Sequence, residues 1–242
     1  MTGSSCITSS TANLAVEYKR GLNLFDAPDL GENLFIGRQT EIEQMESILQ
    51  PESDTLGSSR KSLVLGGMGG IGKTQLAISY AKRHRNCYTS IFWLNATSEV
   101  SIKTSVRNMA HRVLPPEMVS QLDDGQICIY VSNWLSEHDN SRWLLIFDNY
   151  DDPDQYSLHQ YFLLVAHGSV IVTTRQPGRV VGEKVLVRPM SKEDDSIRIL
   201  ATRSGRDNME AGRALLHTWA SMSNYSQTQM LDDSSEDWTA IP

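Results

Sequence analysis

One short glycine-rich stretch limits, more than any other feature, what this chain can fold into. Residues 66–74 read GGMGGIGKT, which contains the pattern G-x-x-x-x-G-K-[S/T] from Gly67 to Thr74. The stretch follows the apolar run 63–65 and precedes a segment with helical spacing. In that context the backbone N–H groups of the loop and the first turn of the helix can converge on phosphate oxygens. The sequence therefore predicts a strand, a phosphate-binding loop and a helix.

The loop also predicts which side chains would contact a nucleotide. Lys73 supplies a cation for the β- and γ-phosphates, and the Thr74 hydroxyl supplies a ligand for Mg²⁺. A glycine-rich turn with an incidental lysine is the alternative, which the flanking strand and helix patterns disfavour. The predicted nucleotide-binding residues of the loop are Gly67, Gly69, Gly70, Gly72, Lys73, Thr74 and Gln75.

Apolar runs alternate with helical segments through the middle of the chain. Near-continuous apolar strands separated by helices are typical of a parallel sheet covered on both faces. We therefore expect an α/β fold of the P-loop NTPase type, with a five-stranded parallel sheet, helices on both faces and a short helical segment near the C-terminus. The predicted strands are 62–67, 90–96, 142–149, 168–175 and 183–189, and the predicted helices are 38–50, 73–84, 102–114, 123–137 and 152–165.

The pattern changes at both ends of the chain. Residues 1–21 are rich in Ser and Thr without periodicity and predict a disordered leader. Residues 22–190 hold the nucleotide-binding core, and residues 191–220 hold a partial helical segment that begins at Ser191, a good N-cap. Residues 221–242 are acidic and aperiodic, which predicts a disordered tail.

A candidate metal ligand follows the third predicted strand. Asp148 comes directly after five apolar residues, at the strand end where ligands gather in open α/β sheets. It would hold Mg²⁺ directly or through water, although it could instead cap a following helix. The next residue, Asn149, can orient water but cannot accept its proton, so we expect slow hydrolysis rather than fast turnover.

A candidate phosphate sensor follows the fourth predicted strand. Arg175 comes after Thr173 and Thr174 and should emerge at the same sheet edge as the phosphates. An arginine there can contact a γ-phosphate through two hydrogen bonds. The alternative is a surface arginine without a role. Lys73, Asp148 and Arg175 are the candidate catalytic residues, and Thr74 and Asp148 are the candidate metal ligands.

Several ordered motifs together resemble the NB-ARC domain of the STAND class of P-loop ATPases. The motifs are FIGRQTEIEQM before the loop, FWLNA on the second strand, WLLIFDN and GSVIVTTR. The variant FDNYDDP and the segment ILATRSG look most like the fungal, NLR-like branch. The resemblance covers roughly residues 22–205.

The resemblance implies an adenine-nucleotide switch that rests with ADP, exchanges it for ATP and then oligomerises. It implies that Phe35, Ile36 and Arg38 lie in the segment that packs against adenine. It also implies that Asp148 is the Walker B acid and Arg175 the sensor arginine. In the family, the sensor strand lies between the phosphate-loop strand and the Walker B strand.

Some family features are missing from this sequence. Asn149 replaces the usual second Walker B acid, and no GLPLAL-type motif follows Gly205. A winged-helix domain and a C-terminal repeat array are not recognisable either. These differences favour a truncated or aberrantly spliced chain that ends after the nucleotide-binding core, and the alternative is a C-terminal segment that has diverged from the family. With Asn149 in place of the acid, we expect at most slow Mg²⁺-dependent ATPase activity.

The expected function is that of an ADP- or ATP-binding core of an NLR-like signalling switch. The runner-up is a P-loop kinase or ATPase acting on a small molecule, but no basic lid lies between the two nucleotide motifs. A GTPase is disfavoured because no N-K-x-D element occurs. An inert scaffold is disfavoured because Lys73, Thr74 and Asp148 are all present.

The composition of the chain indicates which kinds of partner it is expected to bind. The chain has 22 Lys and Arg against 29 Asp and Glu, a formal net charge of −7, which argues against nucleic acid as the main partner. No signal peptide or long apolar run occurs, so we expect a cytoplasmic protein without membrane contact. Besides an adenine nucleotide and Mg²⁺, the expected partner is a second NB-ARC domain in a full-length form.

Overall fold

The computed structural model describes residues 24–25, 37–49, 59–137, 140–161 and 165–189. Six strands form one parallel sheet in the order β1-β3-β4-β5-β2-β6. Parallel strands cannot be joined by tight hairpins, so they need longer crossover connections, which are most often helical. The strands are β1 (Leu24–Phe25), β2 (Lys61–Gly66), β3 (Ser90–Asn95), β4 (Trp143–Asp148), β5 (Ser169–Thr174) and β6 (Glu183–Leu186).

The sheet confirms the predicted α/β class and all five predicted strands. The strand before Arg175, β5, lies between the phosphate-loop strand β2 and the strand β4 that ends at Asp148, as the family resemblance implies. The difference is a sixth strand, β1, which pairs with β3 through Leu24 and Phe25. A strand of two residues carries no periodicity, so the sequence could not predict it.

Five α-helices accompany the strands within the described residues. The helix α3 (Glu99–Val113) is capped by the preceding Ser98, whose hydroxyl accepts a hydrogen bond from the Ser101 N–H. The helix α5 begins with a complete capping box between Asp123 and Gln126. The helices are α1 (Gln39–Leu49), α2 (Lys73–Arg83), α3 (Glu99–Val113), the one-turn α4 (Pro116–Val119) and α5 (Asp124–Ser136).

The helix predicted over residues 152–165 is wrong in most of its length. Residues 153–155 form a turn, and only Leu158–Tyr161 form a short 3₁₀ helix; residues 162–164 lie outside the described part. Two tyrosines explain the difference. The Tyr150 hydroxyl donates to the Tyr156 carbonyl over 2.6 Å, and the Tyr156 hydroxyl donates to the Ala96 carbonyl. These bonds, together with Pro153, hold the segment in a loop against the sheet.

Two clusters of buried side chains cover the two faces of the sheet. One cluster joins α3 and α5 to β3 and β4, and includes Phe92, Trp134 and Trp143. The other joins α1 and α2 to β2, β4 and β5, and includes Met45 and Tyr80. The predicted site residues lie at or beside the carboxyl ends of the central strands, where Asp148 and Thr174 are themselves buried.

Several predictions fall outside the described residues. These are the leader of residues 1–21, the helical segment from Ser191, the acidic tail, and the positions of Phe35 and Ile36. No helix in the described ranges is long and apolar enough to cross a membrane.

Candidate nucleotide-binding site

The predicted phosphate loop connects β2 to α2. Gly67 lies so close to the chain beyond β6 that a Cβ atom would stand 2.7 Å from the Val187 carbonyl oxygen. Gly72 caps α2 in the left-handed conformation with φ 99°, and nothing lies within 4 Å of its Cβ position. A side chain at either position would be strained or would collide with backbone. The loop therefore needs these two glycines, and it is open beside the amino end of α2.

Lys73 points back into the loop. Its ammonium group donates hydrogen bonds to the carbonyls of Gly67 over 2.8 Å and Met68 over 3.0 Å, and the residue is 8% exposed. Burial lowers the pKa of Lys73, the Asp151 carboxylate opposes that effect, and Arg175 adds to it. Among the described residues, the nearby carboxylates therefore offset only part of the cost of burying the Lys73 ammonium group.

A chain of hydroxyls joins the loop to the ends of two strands. Asp148, the last residue of β4, is 5% exposed. Its Oδ1 accepts hydrogen bonds from the Thr74 hydroxyl over 2.9 Å and from the Thr173 hydroxyl over 2.6 Å. The two predicted metal ligands, Thr74 and Asp148, are therefore in direct contact.

Asn149 occupies a special backbone position beside this carboxylate. It adopts a left-handed conformation with φ 64°, which asparagine tolerates better than most residues. Its side-chain amide donates to Asp148 Oδ2 over 3.1 Å, and its backbone N–H donates to the Thr173 hydroxyl over 2.9 Å. Asn149 thus orients the acid that precedes it, which the sequence did not indicate.

The Arg175 side chain lies close to the phosphate loop. The Cβ position of Gly69 is 3.4 Å from the guanidinium carbon of Arg175. Asp151 holds the arginine, since its carboxylate accepts from the Arg175 backbone N–H over 2.7 Å and pairs with Nε over 2.9 Å. This pair is exposed, with 65% of the Arg175 side chain and 31% of the Asp151 side chain accessible.

Arg38 lies at the base of the loop. Its guanidinium contacts Glu41 Oε1 over 2.8 Å, the Ile71 carbonyl over 3.2 Å and the carbonyl of Arg188. Gln75 lies half-buried in the first turn of α2. The predicted roles of Arg38 and Gln75 at a nucleotide stay predictions.

The residues present suit phosphate and Mg²⁺. The open side of the loop offers the amino end of a helix and a buried ammonium group, which are typical of phosphate sites. No group of three or more His, Cys, Asp or Glu side chains in the described residues could hold a metal ion alone. The donor set is instead the Thr74 hydroxyl and the Asp148 carboxylate, which suits Mg²⁺ because that ion keeps waters and takes further ligands from substrate phosphates.

Sequence reasoning found Lys73, Thr74, Asp148 and Arg175, and the structure brings these four to one edge of the sheet. It missed the contacts of Asp151, and it did not assign Thr173 to Asp148. Strand alternation could have placed Thr173 on the same face as Asp148, because the two strands are neighbours. No sequence signal pairs Asp151 with Arg175, since that contact depends on the turn after β4.

Comparisons with known proteins agree with this geometry. Residues 38–208 match the NB-ARC domain. A nucleotide-binding leucine-rich repeat (NLR)-like protein of Hyaloscypha variabilis is 28% identical over 199 residues, covering 74% of this chain and 20% of the relative. This chain therefore spans about a fifth of that relative's length.

Solved structures share the fold at low sequence identity. The ORC1 protein of Aeropyrum pernix, solved in complex with DNA, has a TM-score of 0.54 and 16% identity, covering 74% of this chain and 52% of that one. The ORC2 protein of the same organism, solved as ADPNP–ADP complexes, has a TM-score of 0.51 and 17% identity, covering 72% and 54%. Cdc6p of Pyrobaculum aerophilum has a TM-score of 0.51 and 13% identity, covering 72% and 52%.

At these low sequence identities, the solved structures show only that the fold is shared, and that fold is a P-loop NTPase-like α/β sheet. The family match covers more than half of the chain and agrees with the loop, the Asp148 strand and the Arg175 strand. Such a domain implies nucleotide binding. The chain belongs to the NB-ARC domain family.

Proposed function

We propose that this chain is the adenine-nucleotide-binding core of an NLR-like signalling switch. It binds ADP and ATP with Mg²⁺ and hydrolyses ATP slowly or not at all. The family supports nucleotide binding, and the name of the Hyaloscypha relative supports the NLR-like context. A cytoplasmic location and association through NB-ARC domains in a full-length form are part of the same proposal.

One observation carries the proposal. The Thr74 hydroxyl and the Asp148 carboxylate meet over 2.9 Å at the foot of a loop that also holds the buried Lys73 ammonium. Two segments 74 positions apart in sequence thus supply the phosphate cation and the metal ligands to one place. A glycine turn without a ligand would not need this convergence.

Each residue has a proposed role. Lys73 neutralises the β- and γ-phosphates, and the amino end of α2 donates its N–H groups to them. Thr74 and Asp148 hold Mg²⁺, which neutralises phosphate charge when it is bound. Arg175 would contact the terminal phosphate, and the family resemblance implies that Phe35 and Ile36, which lie outside the described residues, would pack against adenine.

Slow hydrolysis follows from the residue beside Asp148. Hydrolysis is faster when a positioned base accepts the proton of the attacking water. The Asn149 amide cannot accept that proton, and it already donates to Asp148. Asp151 is the next carboxylate along the chain, but both of its oxygens already contact Arg175, one through the backbone N–H and one through Nε.

Nucleotide titration tests the proposal. Calorimetry with ADP, ATP and GDP, each with Mg²⁺, should show binding of both adenine nucleotides and much weaker binding of GDP. Lys73→Ala should abolish this binding while far-UV circular dichroism stays unchanged. Unchanged affinity in that variant would contradict the phosphate-loop assignment, and preference for GDP would contradict the base assignment.

Turnover and assembly distinguish the switch from the runner-up, a kinase or ATPase acting on a small molecule. Steady-state release of phosphate from ATP should stay close to that of Lys73→Ala, and it should not rise with added small hydroxylated or aminated metabolites. Light scattering should show no ATP-driven rings from this chain alone. Rapid turnover would favour the runner-up, whereas ordered rings would mean that this length already forms a complete switch.

The proposal also includes the prediction that this chain does not bind nucleic acid. The net charge of −7 supports it. A gel-shift titration with double-stranded DNA at about 0.1 M salt, where basic DNA-binding proteins still bind, should show no complex.

A further inference from the structure

The Arg38 side chain joins three segments that are far apart in sequence. It donates to Glu41 at the start of α1, to the Ile71 carbonyl in the phosphate loop and to the Arg188 carbonyl beyond β6. We infer that Arg38 is a positioning residue that fastens the phosphate loop to the segment after β6, so that affinity for the phosphate chain, rather than for the base, depends on it. This inference rests on the proposed nucleotide binding.

The chemistry of arginine suits such a fastening. A guanidinium group carries five N–H donors in a rigid plane. Here Nη1 bonds both Glu41 and the Arg188 carbonyl, and Nη2 bonds the Ile71 carbonyl. Only 11% of the side chain is exposed, so these bonds are largely shielded from water. A lysine has one nitrogen and could not reach acceptors on three sides of a plane.

The backbone of Arg38 is fixed as well. The residue has a left-handed φ of 62°, directly after Gly37 with φ 78°. A bulky residue keeps such a conformation only where its surroundings determine it. The Arg38 carbonyl accepts from the Ile42 N–H over 3.0 Å, and Ile42 is fully buried against the sheet. The guanidinium therefore extends from an anchored point.

The segment after β6 contacts the other end of the loop. The Val187 N–H donates to the Gly66 carbonyl over 2.8 Å, where β2 enters the loop. The Val187 carbonyl lies against Gly67. With Arg38 bonded to Ile71, the loop is held at its beginning by Val187 and near its end by Arg38. Both supports involve the same short segment after β6, residues 187–188.

This arrangement prepares the loop for phosphate before any ligand arrives. A preformed loop avoids the ordering cost that a loose loop must meet on binding. Without the guanidinium, the Ile71 carbonyl loses its charged donor and the end of the loop loses its support from the segment after β6. Any ligand with a phosphate chain should then lose affinity by the same factor, whatever base it carries.

Binding of ADP and of inorganic pyrophosphate, each with Mg²⁺, tests the inference by calorimetry. Arg38→Ala and Arg38→Gly should both weaken the two ligands by about tenfold, the size expected for losing hydrogen bonds to a charged group. Glycine removes the left-handed strain, so agreement of the two variants assigns the loss to the side chain. Arg83→Ala is the control, since that exposed arginine also contacts α1, through Gln39, but lies away from the loop.

Two outcomes of the titration would overturn the inference. If ADP loses affinity and pyrophosphate does not, Arg38 acts on the base. If neither ligand loses affinity, the contact has no effect on the loop. Binding of neither ligand by the unmodified protein would contradict the proposed function instead, and the inference would then be decided by a measurement without ligand.

Amide hydrogen exchange of the ligand-free protein supplies that measurement. In Arg38→Ala the Ile71 and Val187 amides should exchange about tenfold faster, a local opening of the kind that exchange detects. The same amides should not change in Arg83→Ala. Unchanged exchange at both positions would overturn the inference, and so would an equal increase throughout β4 and β5, which would indicate general destabilisation.

Discussion

Two carboxylates three residues apart, at the same edge of the sheet, lie in opposite surroundings. Asp148 is 5% exposed and accepts hydrogen bonds from two hydroxyls and one amide. The Asp151 side chain is 31% exposed and is paired with Arg175. The groups that donate hydrogen bonds to the first carboxylate are neutral, and its nearby cation, Lys73, acts on it only through its charge. The second carboxylate already has its cation.

Because their surroundings differ, the two carboxylates suit different tasks within one site. A buried carboxylate in a fixed network favours a single geometry, which suits a metal ion with strict ligand distances. An exposed ion pair gains little stability and can rearrange at low cost. We therefore expect the buried edge to determine whether Mg²⁺-nucleotide binds, and the exposed pair to adjust how well the protein distinguishes ATP from ADP.

Removing the buried carboxylate should have the largest effect. Asp148→Ala should weaken Mg²⁺-dependent ATP binding by roughly 100-fold, the upper end of losses seen at metal sites, and ADP binding by less. A Mg²⁺ ion held by Asp148 would neutralise phosphate charge, and the triphosphate carries more of that charge, so its binding should depend on the ion more. Calorimetry with each nucleotide, with and without Mg²⁺, measures the two losses. Equal losses would mean that Asp148 acts only as structural support.

The orientation of that carboxylate should matter next. Thr173→Val keeps the side-chain shape but removes both hydrogen bonds of the hydroxyl, the 2.6 Å bond to Asp148 and the 2.9 Å bond from the Asn149 N–H, which both position the carboxylate. We expect the apparent Mg²⁺ affinity in the presence of ATP to fall about tenfold, as for other partners of metal ligands, with ATP binding in EDTA unchanged.

Thr174→Val is the matched control for that prediction. Thr174 is also buried on β5, but its hydroxyl accepts from the Gln176 N–H instead of contacting Asp148. If both variants lowered Mg²⁺ affinity equally, the effect would come from the strand and not from the contact with Asp148.

Breaking the exposed pair should have a smaller and more selective effect. Asp151→Asn and Arg175→Ala should each lower the ratio of ATP to ADP affinity by about fivefold, the upper limit for an exposed ion pair. The double variant should lose no more than Arg175→Ala alone, because the two residues act as one unit. Fully additive losses in competition titrations would show that Asp151 acts independently of the arginine.

Added salt should have the smallest effect, and it should act on the exposed Asp151–Arg175 pair while leaving the role of the buried Asp148 carboxylate unchanged. Raising ionic strength from 0.1 M to 1 M shortens the screening distance from about 10 Å to about 3 Å. The ATP-to-ADP ratio of Arg175→Ala should then approach that of the unmodified protein, within about twofold. The deficit of Asp148→Ala should persist, since buried groups are screened much less. A parallel decline of both effects would place the two carboxylates in equivalent surroundings.

Local patterns in the sequence predicted most of this structure. The apolar runs of β2 to β6 and the helical spacing within α1, α2, α3 and α5 are local signals, and each one matched an element. The loop residues Lys73 and Thr74 and the strand-end Asp148 follow from spacing in the same way. Their meeting point follows from the rule that ligands gather at the carboxyl edge of parallel strands.

The remaining features depend on contacts between distant segments. The segment 152–165 has a helical pattern, but the tyrosine contacts with Ala96 and within the loop hold it in another form. The pairing of Asp151 with Arg175 and the bonds of Arg38 join residues up to 150 positions apart. No local pattern contains such information, because each partner is an ordinary residue in its own surroundings.

The position of β5 between β2 and β4 has a consequence for how the site tolerates change in evolution. Thr174 is in register with Gly66 of β2, and Val172 is in register with Phe147 of β4. A one-residue insertion or deletion within β5 would turn Thr173 to the opposite face and shift Arg175 along the strand. Point substitutions can therefore adjust this strand gradually, whereas length changes would disturb the proposed metal orientation by Thr173 and the proposed phosphate sensing by Arg175 in one step. Natural variation in length should be confined to the loops on either side of it.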